Sequence, residues 1–309
     1  MRSNAETITV VILTYNESLH IKRCIESFYS LKARVVVVDS FSSDDTQRIA
    51  KELGADVYEN PFVNQAVQFQ WGMDNCNINS HWVLRLDADE ILDSELVDNI
   101  KSFIANNDES QNGAVFHRKH IFLGKWIKYG GRYPLPMLRL FRRGFAHIEQ
   151  RWMDEHIVLD SGTSTLLKGG FADDNLNTIG WFVDKHNKYA TREMVDVKLR
   201  ELYQSGSEIT SATSGAIKLK RILKEKLYMG LPYFFRPVLY FMYRYFLQLG
   251  FLDGARGLAY HFMQGLWYRF LVDLKCLEVD RIWKDCTSIE EKHHALELYS
   301  GFKLEKPTP

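Results

Sequence analysis

The chain has 309 residues, 46% of them apolar, and its 39 Lys plus Arg are matched by 39 Asp plus Glu. That is enough for one large globular domain, or one domain with a sizeable appendage, and the balanced charge gives no reason to expect nucleic acid or another polyanion as partner. The four cysteines, Cys24, Cys76, Cys276 and Cys286, form no CxxC pair, which argues against a zinc site or a disulfide-dense secreted scaffold and fits a reducing cytosol. The opening "MRSNAETITVVIL" runs almost directly into a strand-like segment, so no export signal is expected.

In chain order, "ITVVIL" (8 to 13) is followed by the helix-like "SLHIKRCIESFYSL", then "RVVVVD" (34 to 39), "TQRIAKELG", "ADVYEN" and, after a helical segment, "HWVLRLD" (81 to 87). Strands alternating with helices imply βαβ units, and near-continuous Val and Ile imply strands covered on both faces. The expected class is α/β, Rossmann-like, with a mostly parallel central sheet flanked by helices. Residues 113 to 172 read as mixed strand and loop around "GKWIKYGGRYPLPMLRLFRRG" (124 to 144), a section expected to complete the sheet and supply substrate contacts. Beyond about 176 the chain reads as helical. The polar "SGSEITSATSG" (205 to 215) is the best candidate hinge, placing a catalytic domain at 1–204 and a helical region at 205–309.

Ligands of open parallel sheets bind beyond the carboxyl ends of the strands. Three loops lie there: "TYNE" (14 to 17), "DSFSSDDT" (39 to 46) and "DADE" (87 to 90). Asp87 and Asp89, one residue apart after a buried strand, can converge on a hard cation, Mg²⁺ or Mn²⁺, which would neutralise a diphosphate leaving group. Asp39 can accept from a base N–H or a ribose hydroxyl; its alternative is to cap the loop and the next helix, but Ser42, Ser43, Asp44 and Asp45 suit that task better, so Asp39 is assigned to the nucleotide. Asn16 and Glu17 equally suit an ordinary strand-to-helix turn.

The succession "ITVVILTYNESLHIKRCIESF", "VVVVDSFSSDDT" and "LRLDADE" resembles family 2 glycosyltransferases of the GT-A fold over roughly residues 7 to 100. The resemblance implies an inverting transferase that uses a nucleotide-diphospho-sugar, with a UDP-sugar favoured, and a divalent cation. It implies that Thr14, Tyr15, Glu17 and Asp39 line the nucleoside pocket with Asp44 near it, and that Asp87 and Asp89 hold the diphosphate and the metal. Phe41 stands where the family commonly has Gly in its "DxGSxD" turn. The middle section, with "RWMDEHIVLDSG" (151 to 162), resembles bacterial lipopolysaccharide core glucosyltransferases of the WaaE type, although Leu135 replaces the acid that relatives often carry after the "YP" pair.

An inverting transfer needs a general base for the acceptor hydroxyl. By the same resemblance that base is Glu155, with Asp154 second; a surface acid is the alternative. His156 is a metal ligand or a structural neighbour. Arg132, Arg139, Arg142 and Arg143 crowd one segment; one or two of them, Arg132 and Arg139 first, are expected at the donor diphosphate or an anionic acceptor, and at least half are expected to solvate the loop or pair with acids. "QRW" (150 to 152) lacks the spacing of the "QxxRW" element of processive synthases, which favours one sugar per acceptor.

Between 215 and 276, ten Lys and Arg face three acids amid dense Phe, Tyr, Trp and Leu, and Arg236 and Arg244 interrupt the apolar run. This pattern suits helices lying on an anionic membrane surface with cations at headgroup level, rather than a membrane span. Core packing or a homo-oligomer contact is the alternative. The combined expectation is a peripheral enzyme at the cytoplasmic face of the membrane, acting on a lipid-linked or core oligosaccharide acceptor. Its rivals are a polyprenyl-phosphate glycosyltransferase and a non-catalytic nucleotide-sugar-binding scaffold.

Overall fold

The computed structural model describes residues 7–106, 108–149, 155–203 and 230–304. Two compact units are present, Met1–Asn177 and Thr178–Pro309. The division falls before the boundary expected at the polar segment, because the long helix that begins at Ile179 packs along two C-terminal helices.

The first unit is built on β1 (Ile8–Thr14), α1 (Ile21–Ser27), β2 (Arg34–Asp39), α2 (Thr46–Glu52), β3 (Asp56–Glu59), α3 (Gln65–Asn75), β4 (Trp82–Asp87), β5 (Glu90–Leu92), α4 (Ser94–Ala105), β6 (Gln111–Phe122), β7 (Lys125–Ile127), β8 (Pro136–Arg142), β9 (Ala146–Ile148), β10 (Ile157–Leu159) and β11 (Thr163–Asp174). Among the described residues the main sheet runs β3-β2-β1-β4-β8-β6-β11-β5, with β7 on β6, while β9 and β10 form a separate pair. β3, β2, β1 and β4 are mutually parallel. β8 enters antiparallel between β4 and β6, and β6 and β11 run parallel to each other.

The Val-rich strands are buried on both sides because their side chains alternate between two cores. Val10, Ile12, Val37, Leu84 and Leu86 pack with Ile21, Cys24 and Ile25 of α1 and Leu96 and Ile100 of α4. Val11, Val36, Val38 and Val83 pack with Ala66 and Phe69 of α3. Burying each such side chain contributes about 1.5–3 kcal/mol, enough to fix the register that sets the strand ends side by side. Gly72 lets α3 approach β2: a Cβ there would lie 2.7 Å from Val38 Cγ2. Asn64 and Asp93 cap α3 and α4 by accepting from the Val67 and Leu96 amides.

The second unit is helical, as expected: α5 (Ile179–Tyr203), α6 (Phe235–Met242), α7 (Gly254–His261), α8 (Tyr268–Trp283) and α9 (Ile289–Ser300), with π-helical turns at Tyr243–Leu247 and Phe262–Trp267. α5 packs on α8 and α9, and Ala190, Met194, Val195, Val272, Cys276 and Val279 are buried. No described helix is long and apolar enough to cross a membrane.

The expected placement of Arg236 and Arg244 at headgroup level is corrected. Both are buried, and Arg236 Nε donates to Asp273 Oδ1 at 2.8 Å while the Phe234 amide donates to Asp273 Oδ2 at 2.9 Å. Large apolar side chains face outward instead, among them Phe235, Met242, Phe246, Leu252 and Leu247, which is 77% exposed. Five of the ten cations, Lys218, Lys220, Arg221, Lys224 and Lys226, lie outside the described residues.

Removing one member of a buried ion pair leaves the other charge undercompensated, at a cost of up to about 3–5 kcal/mol, and here the Phe234 amide loses its acceptor as well. Asp273→Ala is therefore expected to lower the urea midpoint of the helical unit strongly. An unchanged midpoint would mean that Arg236 reaches water without it.

Candidate active site

The carboxyl ends of β2, β1 and β4 lie next to one another: Thr14 pairs with Asp39 and Leu13 with Asp87 in register. Asp39 is fully buried and accepts from Thr14 Oγ1 (2.6 Å), Ser42 Oγ (2.6 Å), the Ser42 amide (2.7 Å) and Gln47 Nε2 (2.8 Å). Four donors fill the four acceptor positions of a carboxylate. In this state Asp39 organises the loop, the alternative weighed for it, and a nucleoside would have to replace one of these donors.

The first two loops are tied into one structure. The Asn16 amide donates to Ser42 Oγ (2.8 Å), the Ser43 amide to Asn16 Oδ1 (2.8 Å) and the Glu17 amide to Thr46 Oγ1 (2.7 Å). Asp44 accepts from the Ser18 and Thr46 amides and from the Thr46 hydroxyl, and these bonds outweigh burial and hold its carboxyl below the usual range. Glu17 accepts from His20 Nδ1 at 2.6 Å while His20 Nε2 accepts the Leu176 amide at 2.9 Å, which places the ring proton on Nδ1. Glu17 is thus drawn towards α1, while Tyr15 is 61% exposed.

Phe41 has φ +60°, the left-handed region that glycine favours, so the side chain that replaces the family's common Gly is held against a penalty of about 1–2 kcal/mol. The turn keeps its shape through the Asp39 and Ser42 bonds.

"DADE" turns tightly from β4 into β5, and its crowded charge is answered by two arginines. Asp87 Oδ1 lies 3.9 Å from Arg85 Nη2 and Asp87 Oδ2 lies 3.6 Å from Arg139 Nη2. Burial alone would raise the Asp87 carboxyl, but Arg139 and Arg85 outweigh it and keep it below its ordinary value. Glu90 is buried, accepts the Asp87 amide at 3.0 Å and also accepts from Arg139. Burial pushes its carboxyl up despite that partner.

The position of Arg139 follows from a bulge in β8. Against β6 the register steps from Ala114↔Leu140 to Val115↔Leu138, leaving Arg139 as the extra residue. A bulge re-aims the side chain it carries, and Arg139 lies over the Phe171 ring (5.3 Å), within reach of Glu90 and Asp87. Arg139 is buried and paired with acids, the alternative expected for part of this arginine cluster, and it reaches the diphosphate side only through Asp87.

Arg85 Nη2 donates to Glu155 Oε1 at 2.8 Å, with the two side chains 4% and 8% exposed. The structure thus links Glu155 to the "DADE" turn through alternating charges, Glu155, Arg85, Asp87, Arg139 and Glu90. Asp154 lies outside the described residues. His156 is half exposed and has its Nδ1 3.3 Å from Glu149 Oε2.

Asp89 Oδ2 accepts from Asn175 Nδ2 at 2.9 Å, and Asp174, whose amide donates to the Asp89 carbonyl, is paired with Arg23 at 2.8 Å. At the same sheet edge Asp173 accepts from Arg118 and lies 3.1 Å from His120 Nδ1. Burial opposes the ionisation of Asp173, yet Arg118 and His120 hold its carboxyl well below the usual range, and burial keeps His120 below its own ordinary value. Arg132 is half-buried and its charge acts on His120. Arg142 and Arg143 sit at the other end of β4, Arg142 over Trp82 and Arg143 Nε donating to the Ser80 carbonyl. Arg85, Glu90, Asn175, Arg118, His120 and Asp173 were not assigned from sequence; an Arg inside "WVLRLD" was the one local signal.

Among the described residues no three His, Cys, Asp or Glu form a ready-made metal cluster. A Mg²⁺ or Mn²⁺ ion can nevertheless be held by one or two carboxylates when a diphosphate completes its shell. The donor set fits that case: Asp87 is ionised and 30% exposed, and Asp89 is oriented by Asn175.

The profile of the family described as Glycosyl transferase family 2 matches residues 9–173, more than half of the chain. The chain belongs to glycosyl transferase family 2. An uncharacterized glycosyltransferase of Rickettsia conorii is 39% identical over 110 residues, 36% of this chain and 38% of that protein. The glycosyltransferase SunS of Bacillus subtilis is 31% identical over 103 residues, 30% of this chain and 22% of that protein. The family 2 chain thus spans less than half the length of these curated relatives.

Among solved structures it is similar to a mannosyltransferase from Pyrobaculum calidifontis in complex with GDP-Man and Mn²⁺ (TM-score 0.46, 14% identity, 90% of this chain and 87% of that one). Glucosyl-3-phosphoglycerate synthase from Mycobacterium tuberculosis in complex with Mn²⁺ and UDP-Glc is similar with a TM-score of 0.40 at 16% identity, over 60% of this chain and 77% of that one.

Proposed function

We propose that this family 2 chain is an inverting, divalent-cation-dependent glycosyltransferase. It passes one sugar from a nucleotide-diphospho-sugar, a UDP-sugar in the favoured case, to a lipid-linked or lipopolysaccharide-type glycan at the cytoplasmic face of the membrane. The observation that carries the reading is the charge chain at the sheet edge, in which one guanidinium, Arg85, lies between the proposed base Glu155 and the proposed donor-site carboxylate Asp87.

In this reading Glu155 takes the proton of the acceptor hydroxyl as its oxygen bonds to the anomeric carbon, and the bond to the nucleotide diphosphate breaks on the opposite face. Asp87 and Asp89 would hold a Mg²⁺ or Mn²⁺ ion, which would supply stabilisation of the negative charge on the leaving diphosphate. Arg139 and Glu90 keep Asp87 in place. Thr14 and Asp39 form the floor of the nucleoside pocket, Tyr15, Glu17 and Asp44 its walls, and Arg132 stands on the diphosphate side. The middle section supports placement beside the WaaE-type enzymes. The outward apolar side chains of the helical unit support contact with a membrane, through ring and aliphatic burial more than through Arg236 and Arg244.

One observation favours a second reading. Glu155 Oε1 is occupied by the buried Arg85 at 2.8 Å, so an acceptor hydroxyl would have to share that carboxylate with the guanidinium, and a polyprenyl-phosphate acceptor needs no base.

The test is a screen of UDP- and GDP-sugars with Mn²⁺, scored for nucleotide release and for transfer to core-oligosaccharide, lipid-linked glycan and polyprenyl-phosphate acceptors. Transfer to a glycan hydroxyl with inverted anomeric configuration is the expected result. Turnover only on the lipid phosphate would establish the second reading, and no turnover with any pair would leave a binding scaffold.

A further inference from the structure

The ring of Phe41 has no place in the mechanism above, yet the fold maintains it in an unfavourable way. Its backbone has φ +60°, a conformation that bulky side chains rarely adopt, and the ring is 53% exposed rather than packed into a core. A strained, solvent-facing aromatic is costly twice, in backbone conformation and in uncovered apolar surface. The Ser42 bonds to Asp39 hold the backbone in place, while about half of the ring's surface stays uncovered, a surface that a ligand can cover.

The surroundings indicate which ligand. Phe41 lies between Ser40, whose amide donates to the Thr14 carbonyl at 2.9 Å, and Ser42, which is bonded to Asp39. Ser42 also accepts the Asn16 amide, and Asn16 directly follows Tyr15, the other exposed ring of these two loops. The two aromatic residues thus flank one hydrogen-bonded junction above the carboxyl ends of β1 and β2, where a parallel sheet receives its ligand. The bonds of Asp39, Ser42 and Asn16 fix the backbone on which the ring stands, so little ordering remains for binding.

We propose that Phe41 is a nucleoside-contacting residue that stacks on the base of the donor nucleotide. A planar base is the part of a nucleotide sugar that a neutral ring recognises; diphosphate and sugar would call for charge and hydrogen bonds. The proposal rests on the nucleotide-sugar reading of the site and adds a specific contact to it.

The test compares Phe41→Gly, Phe41→Ala and Phe41→Tyr in the full chain by calorimetry with UDP and with inorganic pyrophosphate, both with Mn²⁺, alongside thermal unfolding. Phe41→Gly is expected to keep or raise Tm, since glycine accepts the left-handed backbone, while weakening UDP binding about 5- to 30-fold. Pyrophosphate binding should be unchanged. Phe41→Ala should weaken UDP equally with a lower Tm, and Phe41→Tyr should restore affinity.

Equal UDP affinity in wild type and Phe41→Gly would overturn the proposal, as would a parallel loss for UDP and pyrophosphate. Wild-type protein that binds no nucleotide would overturn the functional reading beneath it, a distinguishable outcome.

Discussion

Asp87→Asn is expected to lower kcat/KM for sugar transfer by about 10²- to 10³-fold, the usual penalty for removing one preorganised charge from a transition state. The substitution is nearly isosteric and leaves the Asp87 amide free to keep its bond to Glu90, so the turn should hold its shape. What disappears is the single negative charge between Arg85 and Arg139. Without it those two guanidiniums repel a cation that the carboxylate had attracted. At 30% exposure the side chain is partly screened by water, so the effect on folding should be small beside the effect on turnover. Steady-state kinetics and a melting curve on the same preparation check both halves. Unaltered turnover would remove Asp87 from the donor site.

Glu155→Gln is expected to lower kcat on a glycan acceptor by about 10²- to 10⁴-fold, the contribution of a positioned general base. The amide oxygen can still accept from Arg85, so the local structure has a partner, but the group can no longer take a proton. KM for the nucleotide sugar should change little, because the role proposed for Glu155 is on the acceptor. The Arg85 pairing makes the experiment informative in both directions: retained transfer to polyprenyl phosphate by the variant, with no activity on hydroxyl acceptors in the wild type, would favour the lipid-phosphate reading.

Much of this geometry was legible from sequence because it rests on local patterns. "ITVVIL", "RVVVVD" and "HWVLRLD" are apolar runs that end in polar residues, and such runs become strands of a covered parallel sheet whose ends converge. Thr14, Asp39 and Asp87 therefore met at the expected edge. The positions of Arg139 and of the Arg85–Glu155 pair depend on long-range register. A bulge of one residue in β8 decides where Arg139 points, and Arg85 finds a partner 70 positions away. No window of sequence contains either fact.

Asp39 shows a different limit: its type and place were readable, but its saturation by four donors depends on how two loops fold against each other. In the helical unit an aromatic run that is apolar on nearly every side hides which face is buried. The distant Asp273 settles the orientation of Arg236, and the outward face is apolar as a result.

The central claim is that Asp87 and Asp89 form a divalent-cation site that is completed by the donor diphosphate. Because Arg85 and Arg139 already offset Asp87, a cation alone gains little there, whereas the negative charge of a diphosphate reverses the balance. The direct measurement is a Mn²⁺ titration followed by electron paramagnetic resonance, with and without UDP, on wild type and on Asp87→Asn/Asp89→Asn. The account predicts Mn²⁺ uptake by wild type only when UDP is present, and none by the double variant beyond what UDP alone binds. Tight Mn²⁺ binding without UDP, or equal uptake by the double variant, would contradict it.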